Sequence, residues 1–226
     1  MKKLLTMLLI GGLLACAGQS SAQGIEAGSS LVSLYAGFGS ALEKSDIEIN
    51  GDNLSWGNIG GELGLSYLFF PTPYLGLGAD IRYAGFQGSE KTEYWAGRWF
   101  WHTLESDFET HTLQLMAAGR INLNPGANVR LYVPFGAGVV FSRGRMEYTW
   151  DDYAYDTETA SNTSLGWYAG VGIEFDTSDR FAWGLEARYN TFRYDDTRLA
   201  QDIGGRSSGS EKDRSYVSVA IKVSFK

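Results

Sequence analysis

Eight stretches of the chain alternate strictly between two kinds of side chain, over residues 31–39, 56–68, 75–86, 111–121, 129–142, 163–175, 181–192 and 215–225. Side chains two apart share one face of an extended strand, so the alternation predicts eight two-faced strands. Charge is confined to one face. Glu62, Asp80, Arg82, Arg120, Arg130, Glu174, Glu186, Arg188 and Lys222 share a parity, and the opposite parity carries no Asp, Glu, Lys or Arg. That opposite face is apolar, as in Leu75, Leu77, Ala79, Ile81, Tyr83 and in Val129, Leu131, Val133, Phe135, Ala137, Val139, Phe141.

Two-faced strands suit either a water-soluble barrel with an apolar interior or a membrane barrel with an apolar exterior, and side-chain size separates the two. Gly37, Gly39, Gly60, Gly64, Gly76, Gly78, Gly136, Gly138, Gly166, Gly170, Gly172 and Gly184 lie on the charged face; only Gly57, Gly61, Gly85 and Gly119 lie on the other. Small residues mixed with charges suit a narrow, filled lumen, whereas Phe, Trp, Leu and Val need the room that acyl chains provide. The expected fold is therefore all-β, an eight-stranded antiparallel up-and-down transmembrane β-barrel. Eight such strands and their connections use nearly everything after the leader, so a single domain is expected. Beyond the leader no run approaches the roughly 18 apolar residues of a membrane-spanning helix. Lipid offers no partner to unpaired backbone groups, so crossing it requires a closed barrel.

Residues 1–22 read as an export signal, with Lys2 and Lys3, an apolar core from Leu4 to Leu14 and a small-residue exit at Ser20, Ser21 and Ala22. Cleavage before Gln23 is the first expectation, leaving the barrel as residues 23–226. The alternative is a lipobox, Leu13-Leu14-Ala15-Cys16, with acylation of Cys16, the only cysteine; a barrel already held in the membrane needs no such anchor. Loss of Lys2 and Lys3 takes the formal net charge from −7 to −9. Nucleic acid is not an expected partner of so acidic a chain.

Connections alternate short and long, the sidedness of short periplasmic turns and longer outer loops. Residues 69–74, the Asn124-Pro125-Gly126 segment and residues 176–180 read as turns. Residues 40–55, 87–110, 143–162 and 193–213 read as outer loops, with a hairpin at Asn50-Gly51 behind Ile47-Glu48-Ile49. Aromatic girdles are expected low, at Phe69, Tyr74, Phe175, Phe181, Trp183 and Phe225, and high, at Tyr83, Phe86, Phe141, Trp167, Tyr189 and Phe192. Gly78-Ala79-Asp80-Ile81-Arg82-Tyr83 and Gly184-Leu185-Glu186-Ala187-Arg188-Tyr189 repeat one phrase four strands apart. Opposite walls then present Asp80, Arg82, Glu186 and Arg188 at similar height, with Glu62 and Lys222 near the same level. A neutral, mutually paired structural plug is expected, because unpaired charge is costly in a low-dielectric lumen. Pro134 lacks a ladder donor in mid-strand, which predicts a bulge or kink there.

The Gly-x-Asp/Glu-x-Arg-Tyr strands, the short-long alternation and a closing strand from Tyr216 to Phe225 make residues 30–226 resemble the small eight-stranded outer-membrane barrels, of the OmpA and OmpX type and the broader opacity-like, porin-like family. Lys226 departs from that family's usual aromatic terminus. The resemblance implies a Gram-negative outer-membrane location, insertion by the barrel assembly machinery, contact with outer-membrane lipid and lipopolysaccharide, and a monomer. Adhesion, resistance to host defence and envelope stability are the roles it brings with it.

Candidate chemistry is thin. Tyr94, Trp95, Trp99, Phe100 and Trp101, followed by His102, crowd the second long loop; they suit either docking on a glycan, headgroup or host protein or a small loop core resting on lipopolysaccharide. Acidic residues of the first and third loops, Glu43, Asp46, Glu48 and Asp52 with Glu147, Asp151, Asp152, Asp156 and Glu158, lack an EF-hand spacing, so solvated loop charge is expected and no metal or cofactor. His111 and Ser142 fall on opposite faces, which argues against a nucleophile–base pair and against lipid A modification. No catalytic residue is expected. Two alternatives stand beside this reading: a narrow porin-like channel through a lumen wide enough only for side chains, and a lipid A-modifying outer-membrane enzyme.

Overall fold

A computed structural model describes residues 24–42, 48–49, 52–53, 59–96, 100–150, 153–194 and 212–226. Its strands are β1 (Ser30–Ala41), β2 (Glu48–Ile49), β3 (Asp52–Asn53), β4 (Ile59–Thr72), β5 (Leu75–Ala96), β6 (Phe100–Asn122), β7 (Val129–Trp150), β8 (Tyr153–Asp176), β9 (Phe181–Tyr194) and β10 (Lys212–Phe225). Eight of them close into an antiparallel barrel in the order β1-β10-β9-β8-β7-β6-β5-β4. Every neighbour in the ring but one follows in sequence; the exception is the seam, where β1 pairs with β10 from Val32↔Phe225 to Ala41↔Tyr216. The small β2–β3 pair joins Glu48↔Asn53 and Ile49↔Asp52, which leaves Asn50-Gly51 as the two connecting residues of the expected hairpin.

The barrel is inside-out. Phe38, Leu63, Leu165 and Val171 are 71%, 62%, 76% and 64% exposed on the outer wall, while Arg130, Glu174 and Lys222 are 0% exposed in the lumen. Apolar area has no reason to face outward in water but gains acyl-chain contact in a bilayer. Near the short-turn end the outer wall carries Phe175 stacked on Trp183, centroids 4.7 Å apart, and Phe181 against Phe225 at 5.8 Å. The upper girdle is smaller than the sequence suggests, because Phe86 and Phe192 share the inward parity and are buried. Phe86 lies 4.9 Å from the Tyr216 ring inside the lumen.

Two of the expected outer loops are not loops. β5 and β6 stay in register from Leu75↔Ile121 to Ala96↔Phe100, and β7 and β8 run from Val129↔Phe175 to Trp150↔Tyr153 with one irregularity between Glu147 and Tyr148. The lipid-facing alternation stops near residues 86 and 142, and that is where the sequence reading placed the strand ends. The backbone ladder does not need lipid, and residues 87–110 and 143–162 hold no proline and many Thr, Tyr and Trp, residues that fit a pleated surface.

Pro134 produces no bulge. Its register with Arg120 is continuous, and on the other side the ladder to β8 skips Val133 and Pro134 and resumes at the same register, Tyr132↔Gly172 and Phe135↔Ala169. Besides the irregularity between Glu147 and Tyr148, a register shift sits between Phe69 and Thr72, around Pro71. There Phe70 exchanges its backbone bonds with the N-terminal segment: Gly28 N–H donates to Phe70 O at 2.7 Å, and Phe70 N–H donates to Ser29 O at 2.9 Å. Gly28 adopts φ 85°, a left-handed conformation that glycine reaches without steric cost. The chain thereby folds back across the short-turn mouth, and Ile25 N–H donates to Pro125 O at 3.1 Å on the far side.

Candidate functional site

Among the described residues an apolar cap and two ionic layers fill the lumen in succession. At the short-turn end Ile25, Leu31, Leu68, Phe70 and Ala118 form a buried apolar cap. Above it lies a first ionic layer centred on Glu174, which comes from the lower end of β8. Arg120 donates to both of its carboxylate oxygens, Nη1 at 2.9 Å and Nη2 at 3.2 Å, and Arg130 Nη2 donates at 2.6 Å. Ser224 Oγ donates at 3.1 Å, and Lys222 Nζ lies at 2.9 Å. Arg130 also grips Asp176, which accepts from Lys226 Nζ at 2.7 Å. Half-burial at this rim pushes the Lys226 ammonium below the ordinary lysine range, against the opposing pull of Asp176.

A second layer lies nearer the hairpin end. Arg82, from β5, donates to Glu62 of β4 at 3.0 Å and lies 3.5 Å from Asp80 and 3.7 Å from Glu186. Arg188, from β9, donates to Asp80 across the lumen at 2.6 Å and to Glu186 beside it. Five of the six residues read from the sequence as the plug thus converge here. Lys222 sits one layer lower, on Glu174, and reaches the upper layer through Tyr132: its Nζ donates to the Tyr132 hydroxyl at 3.3 Å, which donates to Glu186 at 2.9 Å. Apart from Lys226 at the rim, the two layers together set five carboxylates (Glu62, Asp80, Glu174, Asp176, Glu186) against five cations (Arg82, Arg120, Arg130, Arg188, Lys222). Without Lys226, the upper layer has one carboxylate too many and the lower one cation too many, and the Lys222–Tyr132–Glu186 chain spans the difference.

Tyrosines separate the like charges. Tyr35 lies between Arg82 and Arg188, whose guanidinium carbons are 4.8 and 5.0 Å from its ring centroid; Tyr168 stacks under Arg188 at 4.1 Å and Tyr132 under Arg120 at 3.8 Å. Cation–π attraction of this kind grows when the pair is desolvated. Inward glycines make room for the rings: a Cβ at Gly136 would lie 2.5 Å from Tyr168, one at Gly76 2.6 Å from Phe70, and one at Gly172 would overlap the hydroxyl end of Tyr132. Arg120, Arg130 and Glu174 were legible as inward charges but not as a layer, and the four tyrosines Tyr35, Tyr132, Tyr168 and Tyr216 shared the inward parity without being singled out. Between the layers remains a cavity of about 10 Å³, bordered by Tyr35, Asp80, Tyr132, Pro134, Glu186 and Lys222, enough for about one water.

On the outer wall, His111 is held by two neighbours: the Tyr83 hydroxyl lies 2.6 Å from Nδ1 and Glu109 Oε1 lies 3.0 Å from Nε2. Ser142 is buried on the luminal side, and its register partner is Thr112 rather than His111. The structure does not bring the two together. Of the loop aromatics, the backbone register sets Trp95 opposite Trp101, Tyr94 opposite His102 and Ala96 opposite Phe100; Trp99 lies outside the described residues, as do Glu43, Asp46, Asp151 and Asp152. Among the described residues, no group of three or more His, Cys, Asp or Glu side chains is placed to hold a metal ion.

A closed, charge-filled barrel with an apolar outer wall defines an outer-membrane β-barrel, and the chain belongs to the outer membrane protein beta-barrel domain family, whose profile matches residues 8–220. Among solved structures it is similar to Neisserial surface protein A, at 15% identity over 89% of this chain and 99% of that one, with a TM-score of 0.50. It is also similar to OprG of Pseudomonas aeruginosa (13% identity, 90% and 98% coverage, TM-score 0.47). A further likeness is to Ail, the attachment invasion locus protein of Yersinia pestis (14%, 88% and 98%, TM-score 0.41). At these identities the likeness concerns the fold. No curated protein matches the sequence.

Proposed function

We propose that the protein works from the cell surface as a non-catalytic barrel, its wall fixed in the outer membrane and its extended hairpins contacting ligands outside the cell. Adhesion and envelope integrity are the roles this reading covers. One observation carries it: the lumen is occupied by two ionic layers and an apolar cap, with about 10 Å³ left open between the layers, while β5–β6 continues in register from Gln87↔Glu109 to Ala96↔Phe100. At about 3.4 Å per residue this extension reaches roughly 30 Å along the strands. Its far end carries Tyr94, Trp95, Phe100 and Trp101, and Trp99 stands between them in sequence; Trp and Tyr dominate binding hot spots. On this reading residues 1–22 are removed on export, the barrel assembly machinery inserts residues 23–226 as a monomer, and lipopolysaccharide surrounds the upper wall.

The test replaces residues 92–104 by a two-residue Asn-Gly turn. The variant should keep the heat-modifiable gel migration of a folded barrel and lose binding of cells to epithelial monolayers or extracellular-matrix glycans. Unchanged binding with an intact barrel would remove the hairpin from the function.

A further inference from the structure

We infer that the half-wall which β5–β8 raise above the membrane is a self-recognition surface: a second copy of this chain, from a facing membrane, docks on it head to head, its β5 edge antiparallel to the first. The inference rests on the hairpin reading and names the partner that the hairpins meet.

The four strands outrun the rest of the ring. β4 pairs with β5 only as far as Ile59↔Gln87, and β9 with β8 only as far as Gly166↔Phe192. β5–β6, β6–β7 and β7–β8 continue to Ala96↔Phe100, Leu104↔Trp150 and Trp150↔Tyr153. Among the described residues, positions 88–96 of β5 and 153–165 of β8 therefore pair on one side only. The chemistry of the two faces also reverses. On the central strands the register places Phe100, Leu104, Phe108, Met146, Tyr148 and Trp150 on the parity that is luminal below, and Glu105, Asp107, Glu109, Arg143, Arg145 and Glu147 on the parity that faces lipid below. An apolar sheet face outside the bilayer gains by being covered, and a half-paired edge is a template for another strand.

The β5 edge selects the occupant. Two copies of β5 paired antiparallel about Thr92 set Lys91 of each opposite Glu93 of the other, and opposite charges directly across a ladder attract. A lysine on an edge strand ordinarily turns other strands away. Here Lys91 is exposed and a glutamate two positions on answers it, which makes the edge complementary to itself. The twofold axis of such a pair is normal to the sheet at Thr92, and the contact is the same patch on both copies. That axis points the two barrels in opposite directions, so the second copy belongs to a facing cell. It also turns the luminal-parity faces of the two half-walls toward each other. Each face spans four strands about 4.8 Å apart and about nine residues of about 3.4 Å, on the order of 500 Å². Two such faces reach the roughly 1,000 Å² that a specific interface needs.

The experiment reconstitutes the full barrel singly in lipid nanodiscs and counts head-to-head disc pairs by single-particle imaging. Wild type should pair. Lys91→Glu and Glu93→Lys, each alone, should lower pairing about tenfold, because each sets like charges across both contacts. Mixing the two variants should restore pairing, because every contact then joins Glu to Lys. Heat-modifiable gel migration reports that each variant is folded, and binding of the same discs to extracellular-matrix glycans reports on the hairpin reading separately. Pairing that either single variant leaves unchanged, or that the mixture does not restore, would overturn the β5 edge. Wild-type discs that stay single would mean that the face is covered within one molecule or by a foreign ligand, and would overturn self-recognition; the hairpin reading survives that result if the single discs still bind the glycans.

Discussion

Glu174 is the residue on which the lower half of the lumen depends. It accepts from Arg120, Arg130, Lys222 and Ser224 and is 0% exposed, so its carboxylate neutralises cations that water does not reach. Removing one member of a buried ion network leaves the rest uncompensated, at a cost of about 3–5 kcal/mol. Glu174→Ala should lower unfolding stability in urea-titrated vesicles by about that amount. Glu147→Ala removes a carboxylate whose partner Arg145 is about half exposed, and should shift the midpoint by less than about 1 kcal/mol. Equal effects would mean that the lumen is far wetter than its packing implies. The inward glycines act by their size. Gly172→Val would drive Tyr132 from its place between Arg120 and Lys222, and overpacking of this kind costs about 1–3 kcal/mol, measurable in the same titration.

At the level of strands and hairpins, the membrane-spanning portions were legible in the sequence because lipid imposes a period of two on one face and the lumen imposes charge on the other. Every one of the nine charges assigned inward is buried. The extensions beyond the membrane were not legible as strands. Outside lipid the lipid-facing alternation ends, and the alternation that replaces it on β6 and β7 has the opposite sense, which a reading that follows the apolar parity does not track. The fold-back of residues 24–29 was hidden for a similar reason: its one buried contact, Ile25 against Leu31, Leu68 and Phe70, has no periodicity to reveal it. Lys222 was assigned to the right face and the wrong layer, since parity gives a side chain's direction but not how far a lysine reaches along the axis. The apolar cap makes its own prediction. Ile25→Ala should cost about 2–5 kcal/mol, as for other large-to-small changes in packed cores, whereas Leu42→Ala, at an exposed position beyond β1, should be nearly neutral in thermal unfolding.

For the whole molecule, the question is whether anything crosses it. Three closures lie in series along the axis: the apolar cap with Ile25 and Phe70, the layer around Glu174 and the layer around Arg82 and Arg188. Eight strands leave an interior only wide enough for side chains, and here arginines and tyrosines occupy it. An ion entering from the hairpin end would have to displace Arg82 and Arg188 from the carboxylates Asp80 and Glu186 that they share, then repeat the exchange at Glu174. Closures in series mean that opening one does not open the path. Planar bilayers holding the wild-type barrel should therefore show no steady conductance, and thinning the cap by deleting residues 24–28, which carry Ile25, should leave them silent, because both ionic layers remain. Adding Arg82→Ser and Arg188→Ser to that deletion should still give at most brief openings, since Arg120, Arg130 and Lys222 hold the lower layer. A steady wild-type current in single-channel recordings would show that the ionic layers exchange partners on the timescale of conduction, and the function would then have to be sought along the axis rather than on the surface.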